Sequence, residues 1–370
     1  MVPNVVPKLA KLGFEVVVEK GAGAAAGYTD DAYAAKGATL GSAADALGCE
    51  LVIAINVPDW GAMAAGQMLA CIADPFRDTA RVSAMAAAGL TLFSMDMIPR
   101  RLSRAQSMDV NSSQDNLAGY KAVLLGAAAV ACMIPMMMTS AGTVKPAKYV
   151  VMGAGVAGLQ AIATAKRLGA VVWASDVRLA AKEQIESLGG KFIAVEGMED
   201  FEDESGYAKP LTPEFIQKVN DTVCEVARDA DVVVTTARLF GRPAPITVPA
   251  SAVEAMKLGT VVVDMNTASG GNCELSVAGE TVVKHGVTII GEANLPGTVP
   301  HTASLFYANN LANFAAALVS DGKLAPDFED EILVGALQGD AFHVPEMGGV
   351  LVAHAGEIHA AQSRLREVAG

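Results

Sequence analysis

The sequence predicts an α/β protein in which two domains each fold around a doubly wound parallel sheet. Three observations predict this fold class. The chain has 370 residues, which is too long for one simple hydrophobic core. Short runs of β-branched residues alternate with helical segments in both halves, as is typical of parallel sheets. In the second half a glycine-rich turn joins a strand directly to a helix.

That turn lies in the stretch from Lys148 to Arg178, which reads KYVVMGAGVAGLQAIATAKRLGAVVWASDVR. Gly153 permits the tight turn, Gly155 lets the backbone approach a pyrophosphate, and Gly158 lets the helix pack closely on the strand. The N-terminus of the helix would face the phosphates with free N–H groups. A strand, a G-x-G-x-x-G turn, a helix and a second strand together predict a Rossmann-like domain that binds a dinucleotide.

Asp176 ends the second strand, about 20 residues after the turn, where an acid can accept hydrogen bonds from the adenosine ribose. A carboxylate there would repel a 2′-phosphate, so NAD(H) is favoured over NADP(H), and Arg178 is the one feature that softens this preference. A Rossmann-like domain that has lost its ligand is the alternative. We assign to the cofactor site Gly153, Gly155, Val156, Ala157, Gly158, Asp176, Val177, Arg178, Thr236, Ala237 and Asn266.

The composition argues against two classes of partner. A formal charge of −13 at pH 7 disfavours electrostatic binding to nucleic acid or to an anionic membrane surface. The five cysteines form no C-x-x-C pair and no metal-type spacing, which fits a reducing compartment and predicts no metal site. No signal peptide is visible at the N-terminus.

We assign residues 1–120 and 306–370 to a first Rossmann-like domain, residues 121–305 to the NAD(H)-binding domain, and a nucleotide cleft to the space between them. In the first domain, Gly13 ends a helix that closes at Leu12, and buried strands alternate with short helices. The predicted elements are the strands Phe14–Val18, Leu51–Val57 and Thr91–Met95 and the helices Asp30–Lys36 and Thr79–Ala88.

Residues 122–144 contain no charged side chain, and the next charged residue is Lys145. A run of this length is a transmembrane candidate, but Pro135 interrupts it and the Rossmann strand follows at once. We therefore predict a buried interdomain helix followed by a connecting segment.

The second domain continues with the helix Ala180–Leu188 and the strands Phe192–Val195, Val232–Thr236, Val261–Asp264 and Val287–Ile290. Residues 197–213 interrupt this pattern with an acidic stretch that contains glycine and proline. Connections of this length are usually functional lids or disordered, and a solvated surface loop is the alternative. His285 is expected to be a turn residue, and the helix from about Ala303 to Leu318 leads back to the first domain.

The stretch from Arg100 to Gln114 is the densest polar segment outside the lid, and it follows the end of a strand. In open α/β folds such loops face the ligand crevice. Its arginines, glutamine, aspartate and serines suit a carboxamide and ribose hydroxyls, although the same serines suit an N-cap. All five histidines lie after residue 284. Hydride passed between two nicotinamides leaves no proton to move, so it needs ring alignment rather than an acid/base.

Several segments resemble the NAD(H)-binding component of the proton-translocating (Si-specific) NAD(P)+ transhydrogenase family. They are RLSRAQSMDVNSSQDNLAGYKAV, PMMMTSAGTV, GAGVAGLQAIATAKRLGAVVWASDVR, KEQIESLGGKFI, GYAK, GRPAPI and SGGNCELS. The resemblance spans about residues 3–320. It implies a homodimer peripheral to a membrane, on the bacterial cytoplasmic or mitochondrial matrix side. It also implies a membrane component and a partner component that holds NADP(H).

The resemblance also implies roles for single residues. Arg101 and Ser112 would hold the nicotinamide end of NAD(H), and Gln106 and Asp109 would help to position it against the NADP(H) partner. Tyr207 matches the tyrosine of a mobile loop that closes over the bound nucleotide.

Alanine dehydrogenase shares the fold and the glycine motif and is the nearest alternative. Its catalysis needs a lysine and a histidine in the first domain, whereas the matching segments here read VIAINVP and MLACIADPF. A non-catalytic NAD-binding paralogue is the other alternative.

Three features depart from the family's usual pattern. The β-strand and the basic, glycine-bearing segment that normally precede the first helix are absent. The segments around residues 71–77 and 294–301 differ, and no clear membrane component follows residue 320. No role can be assigned to residues 321–370.

Overall fold

The computed structural model describes residues 1–100, 102–197, 212–239, 241–335, 349–359, 362 and 365–367. The chain divides into two compact units. The first unit comprises Met1–Gln114 and Val299–Gly370, and the second unit comprises Asp115–Thr298.

The described strands are, in chain order, β1 (Val17–Glu19), β2 (Thr39–Gly41), β3 (Leu51–Asn56), β4 (Met68–Ile72), β5 (Thr91–Ser94), β6 (Met137–Thr139), β7 (Gly142–Val144), β8 (Lys148–Met152), β9 (Val171–Ser175), β10 (Lys191–Phe192), β11 (Val232–Thr235), β12 (Val261–Asp264), β13 (Thr281–Lys284), β14 (Val287–Ile290), β15 (Val319–Ser320), β16 (Lys323–Leu324), β17 (Leu351–His354) and β18 (Glu357–Ile358). The described α-helices are α1 (Val6–Lys11), α2 (Asp30–Ala34), α3 (Ala43–Leu47), α4 (Thr79–Ala87), α5 (Val110–Ala129), α6 (Val156–Arg167), α7 (Ala181–Ser187), α8 (Pro213–Ala227), α9 (Ala250–Ala255), α10 (Pro300–Ala317) and α11 (Glu331–Val334).

The second unit is built on a seven-stranded sheet in the order β10-β9-β8-β11-β12-β14-β13. Every neighbouring pair is parallel except β13 with β14. The chain leaves β8 toward one edge and returns through β11 toward the other, so a topological switch point lies between these two strands. The doubly wound sheet predicted for this half of the chain is confirmed.

The central strands of this sheet are hydrophobic at successive positions because both of their faces are buried. Val232, Val233 and Val234 are each 0% exposed. Val232 and Val234 belong to one hydrophobic cluster and Val233 belongs to another. Helix α6 packs against the first cluster through Ala161, Ile162 and Ala165.

Two predicted strands of this unit, Val261–Asp264 and Val287–Ile290, have the predicted ends, whereas β10 covers only Lys191–Phe192. The antiparallel edge strand β13 was not predicted. It joins β14 through the two-residue turn His285-Gly286, in which both residues have positive φ, 50° and 77°. His285 is therefore a turn residue, as expected.

The uncharged run forms two different structures. Its first part completes α5, whose Ala122 and Val123 are fully buried. Its last part forms the hairpin of β6 and β7, in which every strand residue is exposed. Of the helices within the described residues, none is long and apolar enough to cross a membrane.

The first unit contains a five-stranded sheet in the order β18-β17-β5-β4-β3. Strands β3, β4 and β5 are parallel, but β17 is antiparallel to β5 and β18 is antiparallel to β17. Strands β1 and β2 form a separate parallel pair. The sheet of this unit is therefore mixed, because two of its strands come from the C-terminal segment, for which the sequence suggested no role.

Candidate functional site

The glycine-rich turn of the second unit has the geometry that its sequence predicts. Gly153 has φ +102°, and a Cβ built on it would lie 2.4 Å from Thr236 Oγ1. A Cβ on Gly158 would lie 1.9 Å from the Gly153 carbonyl oxygen. A Cβ on Gly155 would meet no atom of the described residues within 4 Å. The first and third glycines are thus required by packing inside the protein, whereas the second faces open space that a ligand can fill.

Helix α6 begins directly after this turn, with Gly155 as its N-cap. Among the described residues no side chain caps this end, so the first N–H groups, including those of Val156 and Ala157, remain directed out of the helix. A twelve-residue helix carries a partial positive charge at this end. Together, the open turn and the uncapped helix form a site that suits a pyrophosphate.

Asp176 is joined directly to the turn. Its Oδ2 accepts a hydrogen bond from Ala154 N at 2.8 Å, and its Oδ1 accepts from Arg178 N at 2.9 Å. The Arg178 guanidinium donates to the same carboxylate from Nε at 3.0 Å and from Nη2 at 3.1 Å. The Asp176 side chain is only 8% exposed. The structure therefore fixes this carboxylate beside the turn and shows that Arg178 forms a bidentate ion pair with it, while Val177 lies between the two, half-buried.

Thr236 and Ala237 follow β11 at the same end of the sheet. Thr236 Oγ1 lies 3.1 Å from the Met152 carbonyl and 3.2 Å from the Gly153 carbonyl, so its hydroxyl donates to the base of the glycine turn. The Ala237 carbonyl accepts from Asn266 Nδ2 at 3.1 Å and from Asn272 Nδ2 at 2.8 Å. These contacts join the loops after β11 and β12 into one frame.

Asp264 organises the second of these loops from inside. It is fully buried and accepts hydrogen bonds from Asn272 N at 2.8 Å, Cys273 N at 2.9 Å and Ser276 Oγ at 2.6 Å. Asn266 N donates to its other oxygen at 3.0 Å. This acid therefore shapes the loop rather than facing a ligand.

The polar segment of the first unit forms a compact cluster at the start of α5. Asp109 is the N-cap, since its Oδ1 accepts from Ser112 N at 2.9 Å. Its Oδ2 accepts from Ser112 Oγ at 2.6 Å and from Arg100 Nε at 3.0 Å. Arg100 Nη2 also donates to Ser112 Oγ at 2.7 Å. The N-cap interpretation of this segment is therefore right in kind, but the cap is Asp109 and not the serines.

Gln106 lies three residues before this cluster, in a 3₁₀ turn formed by Ser103–Met108, and its side chain is exposed. The structure thus brings the side chains of Asp109 and Ser112 together, while Gln106, on the preceding turn, is joined to Asp109 through the backbone, from Asp109 N to Gln106 O at 3.3 Å. Arg101 and Tyr207 lie outside the described residues, as does most of the predicted lid.

Asp96 lies buried beside this segment, at the end of β5. Its Oδ1 accepts from Ser94 Oγ at 2.5 Å and from Ala73 N at 3.2 Å, and its carbonyl accepts from Asn111 Nδ2 at 2.7 Å. Burial raises the pKa of Asp96 above its ordinary value, and the hydrogen bond from Ser94 offsets only part of this effect. Burial likewise raises the pKa of the nearby Cys71 thiol to about 12. These groups are therefore poor candidates for a nucleophile or an anionic base.

Two residues that sequence reasoning missed are central to these sites. Arg100 contacts both Asp109 and Ser112, whereas a site role was expected only for its neighbour Arg101, and two adjacent arginines in one loop give no sequence signal that separates them. Ala154 ties the acid to the turn through its backbone N–H, which any residue except proline would supply.

Comparison with known proteins agrees with both units. Residues 1–118 match the family alanine dehydrogenase/PNT, N-terminal domain, and residues 122–344 match alanine dehydrogenase/PNT, C-terminal domain. The chain is 48% identical over 347 residues to the first portion of the NAD(P) transhydrogenase subunit alpha of Rhodospirillum rubrum, with 90% of each chain covered.

Two solved structures are similar as well. The transhydrogenase from Sinorhizobium meliloti is 44% identical with a TM-score of 0.84, over 96% of this chain and 94% of that chain. An L-alanine dehydrogenase is 24% identical with a TM-score of 0.75, over 100% and 95% of the two chains, which shows a shared fold. The resemblance seen in the sequence is confirmed: the chain belongs to the alanine dehydrogenase/PNT family, among its NAD(P) transhydrogenase alpha subunits.

Proposed function

We propose that this chain is the NAD(H)-binding component of a proton-translocating transhydrogenase, which passes hydride between NADH and NADP+ held on a partner component. One observation carries the proposal. The open glycine turn, the uncapped start of α6 and the Asp176 carboxylate form a single hydrogen-bonded unit, through the contact between Ala154 N and Asp176. The names of the similar proteins give the reaction class.

The pyrophosphate of NAD(H) would lie over Gly155 and accept hydrogen bonds from the N–H groups of Val156 and Ala157. The adenosine ribose would lie on Asp176, whose carboxylate already accepts four hydrogen bonds, two of them from the Arg178 guanidinium. A carboxylate offers about four lone-pair sites. Ribose hydroxyls would therefore take the place of that guanidinium, which is 30% exposed and can move into solvent. Thr236, Ala237 and Asn266 would form the wall beside the turn, and Tyr207 would close over the nucleotide.

Hydride transfer would use the polar segment of the first unit. Ser112 and an arginine would hold the nicotinamide end of NAD(H), while Gln106 and Asp109 would help to set its position against the partner's nicotinamide. We propose that Arg100 shares or takes over the role that the resemblance gives to Arg101, since Arg100 contacts both Asp109 and Ser112. A hydride that moves between two nicotinamides releases no proton, so the segment needs no general base. Its contribution is orientation and the exclusion of water.

The finer setting is also a proposal. We place the chain at the surface of a membrane component, on the bacterial cytoplasmic or mitochondrial matrix side, and as a homodimer. The exposed hairpin of β6 and β7 supports the dimer, because Met138 in it and Met136 just before it are 75% and 65% exposed. A patch of large apolar side chains is typical of a surface that another chain covers.

Reconstitution tests the function. The purified chain should bind NADH but transfer no hydride alone. After the NADP(H)-binding component of a transhydrogenase is added, it should reduce an NADP+ analogue at the expense of NADH. In the mixture, Asp109→Asn should lower the transfer rate by about 10²-fold, the size of effect seen when reacting groups are misplaced by about 1 Å. Asp221→Asn, an exposed change on α8, is the matched control.

Three results would contradict the proposal. No transfer in the mixture, with NADH bound, would indicate a non-catalytic paralogue. Oxidation of L-alanine by the chain alone would indicate the dehydrogenase branch of the family. An Asp109→Asn variant as fast as the parent would remove the polar segment from the mechanism.

A further inference from the structure

The turn that carries Gln106 has little internal support. Ser103–Met108 is a 3₁₀ helix of six residues, and runs of this length are uncommon because the 3₁₀ hydrogen-bond geometry is poor. Its ends are held by the bonds from Ala105 N to Leu102 O at 2.9 Å and from Asp109 N to Gln106 O at 3.3 Å. We therefore expect the position of Gln106 to depend on neighbouring elements.

One support comes from the C-terminal segment of the first unit. Arg104 donates from Nη1 and Nη2 to the two carboxylate oxygens of Asp330, at 2.8 Å and 2.6 Å. Asp330 is itself fixed, because it caps α11 by accepting from Ile332 N at 2.8 Å. Two parallel bonds between planar groups set direction as well as distance. The turn is thus fastened at a residue two positions before Gln106.

A second support comes from α10. Asn310 Nδ2 and Asn313 Nδ2 both donate to the Ser107 carbonyl, at 2.9 Å and 3.1 Å. Asn310 is also held in place, since its Oδ1 accepts from Ser113 Oγ at 2.7 Å. Ser107, the residue immediately after Gln106, is therefore fastened to α10, whereas Arg104, which precedes Gln106, is fastened to Asp330.

The apolar residues of the turn complete the attachment. Ala105 and Met108 are buried in the same hydrophobic cluster as Leu311 and Phe314 of α10 and Ile332 and Leu333 of α11. In the sequence, exposed Gln106 thus lies between the buried Ala105 and Ser107, whose carbonyl accepts hydrogen bonds from α10.

We infer that Asp330, together with Asn310 and Asn313, is a set of positioning residues that hold the Ser103–Met108 turn so that Gln106 meets the partner's nicotinamide in a fixed place. This inference rests on the proposed function and extends it to the C-terminal segment. In the ion pair between Arg104 and Asp330 the arginine side chain is 51% accessible and the aspartate side chain 21%, so solvent screens the pair from the arginine side and its loss should change stability only modestly. A change in the position of Gln106, by contrast, should change the rate of hydride transfer.

The test uses the full chain mixed with a transhydrogenase NADP(H)-binding component, in single-turnover measurements at saturating NADH. Asp330→Asn and Arg104→Gln should each slow hydride transfer about tenfold, part of the ~10²-fold that a misplacement of about 1 Å can cost. The dissociation constant for NADH should stay within twofold, and the thermal transition should hardly move. The double variant should be no slower than either single variant, since both remove one interaction. Arg104→Lys, which keeps the charge, should recover part of the rate.

A direct readout of the turn accompanies the kinetics. Amide hydrogen exchange in residues 102–110 should accelerate in Asp330→Asn and in Asn313→Ala, which removes the other attachment. Glu225→Gln is the matched control, because it breaks the exposed pair with Arg228 at 3.0 Å in the second unit. It should leave both the exchange and the rate unchanged.

The outcomes separate the two proposals. Absence of transfer by the unmodified chain overturns the proposed function and this inference with it. Transfer by the unmodified chain, with variants that are equally fast, overturns the inference alone. The inference is also overturned if the transfer rate of the variants falls only in proportion to weaker NADH binding. It is likewise overturned if Glu225→Gln slows the transfer as much as the variants do.

Discussion

At the scale of single residues, Asp96 and Asp176, the acids that follow strands β5 and β9, differ in the groups that surround their carboxylates. Asp176 lies beside the glycine turn and accepts hydrogen bonds from the Arg178 guanidinium and from two backbone N–H groups. Asp96 is buried, with no cation among the described residues paired to it, and its pKa is raised by that burial. Asp96 therefore supports the backbone of the first unit, while recognition of the ribose is the role that we propose for Asp176 in the second.

Asp176→Asn tests the recognition role. An amide can accept only half as many hydrogen bonds and carries no charge. Hydrogen bonds to charged groups are worth about 1.5–3 kcal/mol, so NADH should bind about 10- to 100-fold more weakly. NADPH should bind better than before, since the variant removes the carboxylate that repels the 2′-phosphate and releases Arg178 to pair with it.

The measurement is a pair of calorimetric titrations, with NADH and with NADPH, for the parent and the variant. Asp221→Asn should leave both affinities unaltered. An unchanged ratio of NADH to NADPH affinity in Asp176→Asn would show that this carboxylate does not read the ribose.

Asp96→Asn tests the buried acid through pH. Because the folded-state pKa of Asp96 lies above its unfolded value of 3.8, the folded protein binds more protons than the unfolded chain between these two pKa values. The contribution of Asp96 to stability is therefore full below the unfolded pKa and is lost as pH rises through the folded pKa. An asparagine keeps the acceptor for Ser94 and Ala73 without the charge. The free energy of unfolding of Asp96→Asn relative to the parent should consequently increase as the pH rises above 3.8 in a series of urea titrations, and a difference independent of pH would contradict this account.

At the scale of elements, the sequence was most informative where the structure is locally determined. Strands β12 and β14 have their predicted ends because Val261–Asp264 and Val287–Ile290 are buried runs bounded by turn residues. The glycine turn was predictable because its first and third glycines are required by contacts with their own strand and helix and with the next loop. Local pattern and final structure agree in all three cases.

Strands β13 and β17 were not predicted. The edge strand β13 is mostly exposed and forms only against β14. Strand β17 follows a glycine- and methionine-bearing segment and pairs with β5, more than 250 residues earlier in the chain. In the site, the ion pair of Arg178 with Asp176 and the contacts of Arg100 with Asp109 and Ser112 depend on side-chain rotamers. No residue pattern in the sequence encodes these features.

At the scale of the whole molecule, the C-terminal segment is part of the first unit. Leu351, Val352 and Ala353 of β17 are fully buried. Strand β17 pairs with the edge of β5 that would otherwise be the free edge of the parallel strands β3, β4 and β5. The same segment supplies Asp330 to the turn that carries Gln106. Residues 1–114 therefore depend on residues after 299 both for their core and for the geometry of their polar segment.

This dependence predicts the effect of Leu351→Ala. Leu351 pairs with Phe93 in the sheet and shares its hydrophobic cluster with Phe314 and Ile332, so truncation leaves a cavity between strand and helices. Such changes cost about 2–5 kcal/mol, which should lower the urea midpoint of the first unit and increase hydrogen exchange in residues 91–94. Val283→Ala, at a side chain that is 66% exposed, should change stability by no more than about 0.5 kcal/mol. If Leu351→Ala has the same urea midpoint and the same hydrogen exchange as the parent, the stability of the first unit does not depend on the packing of β17. The C-terminal segment would then not stabilise the core that packs against the Gln106 turn.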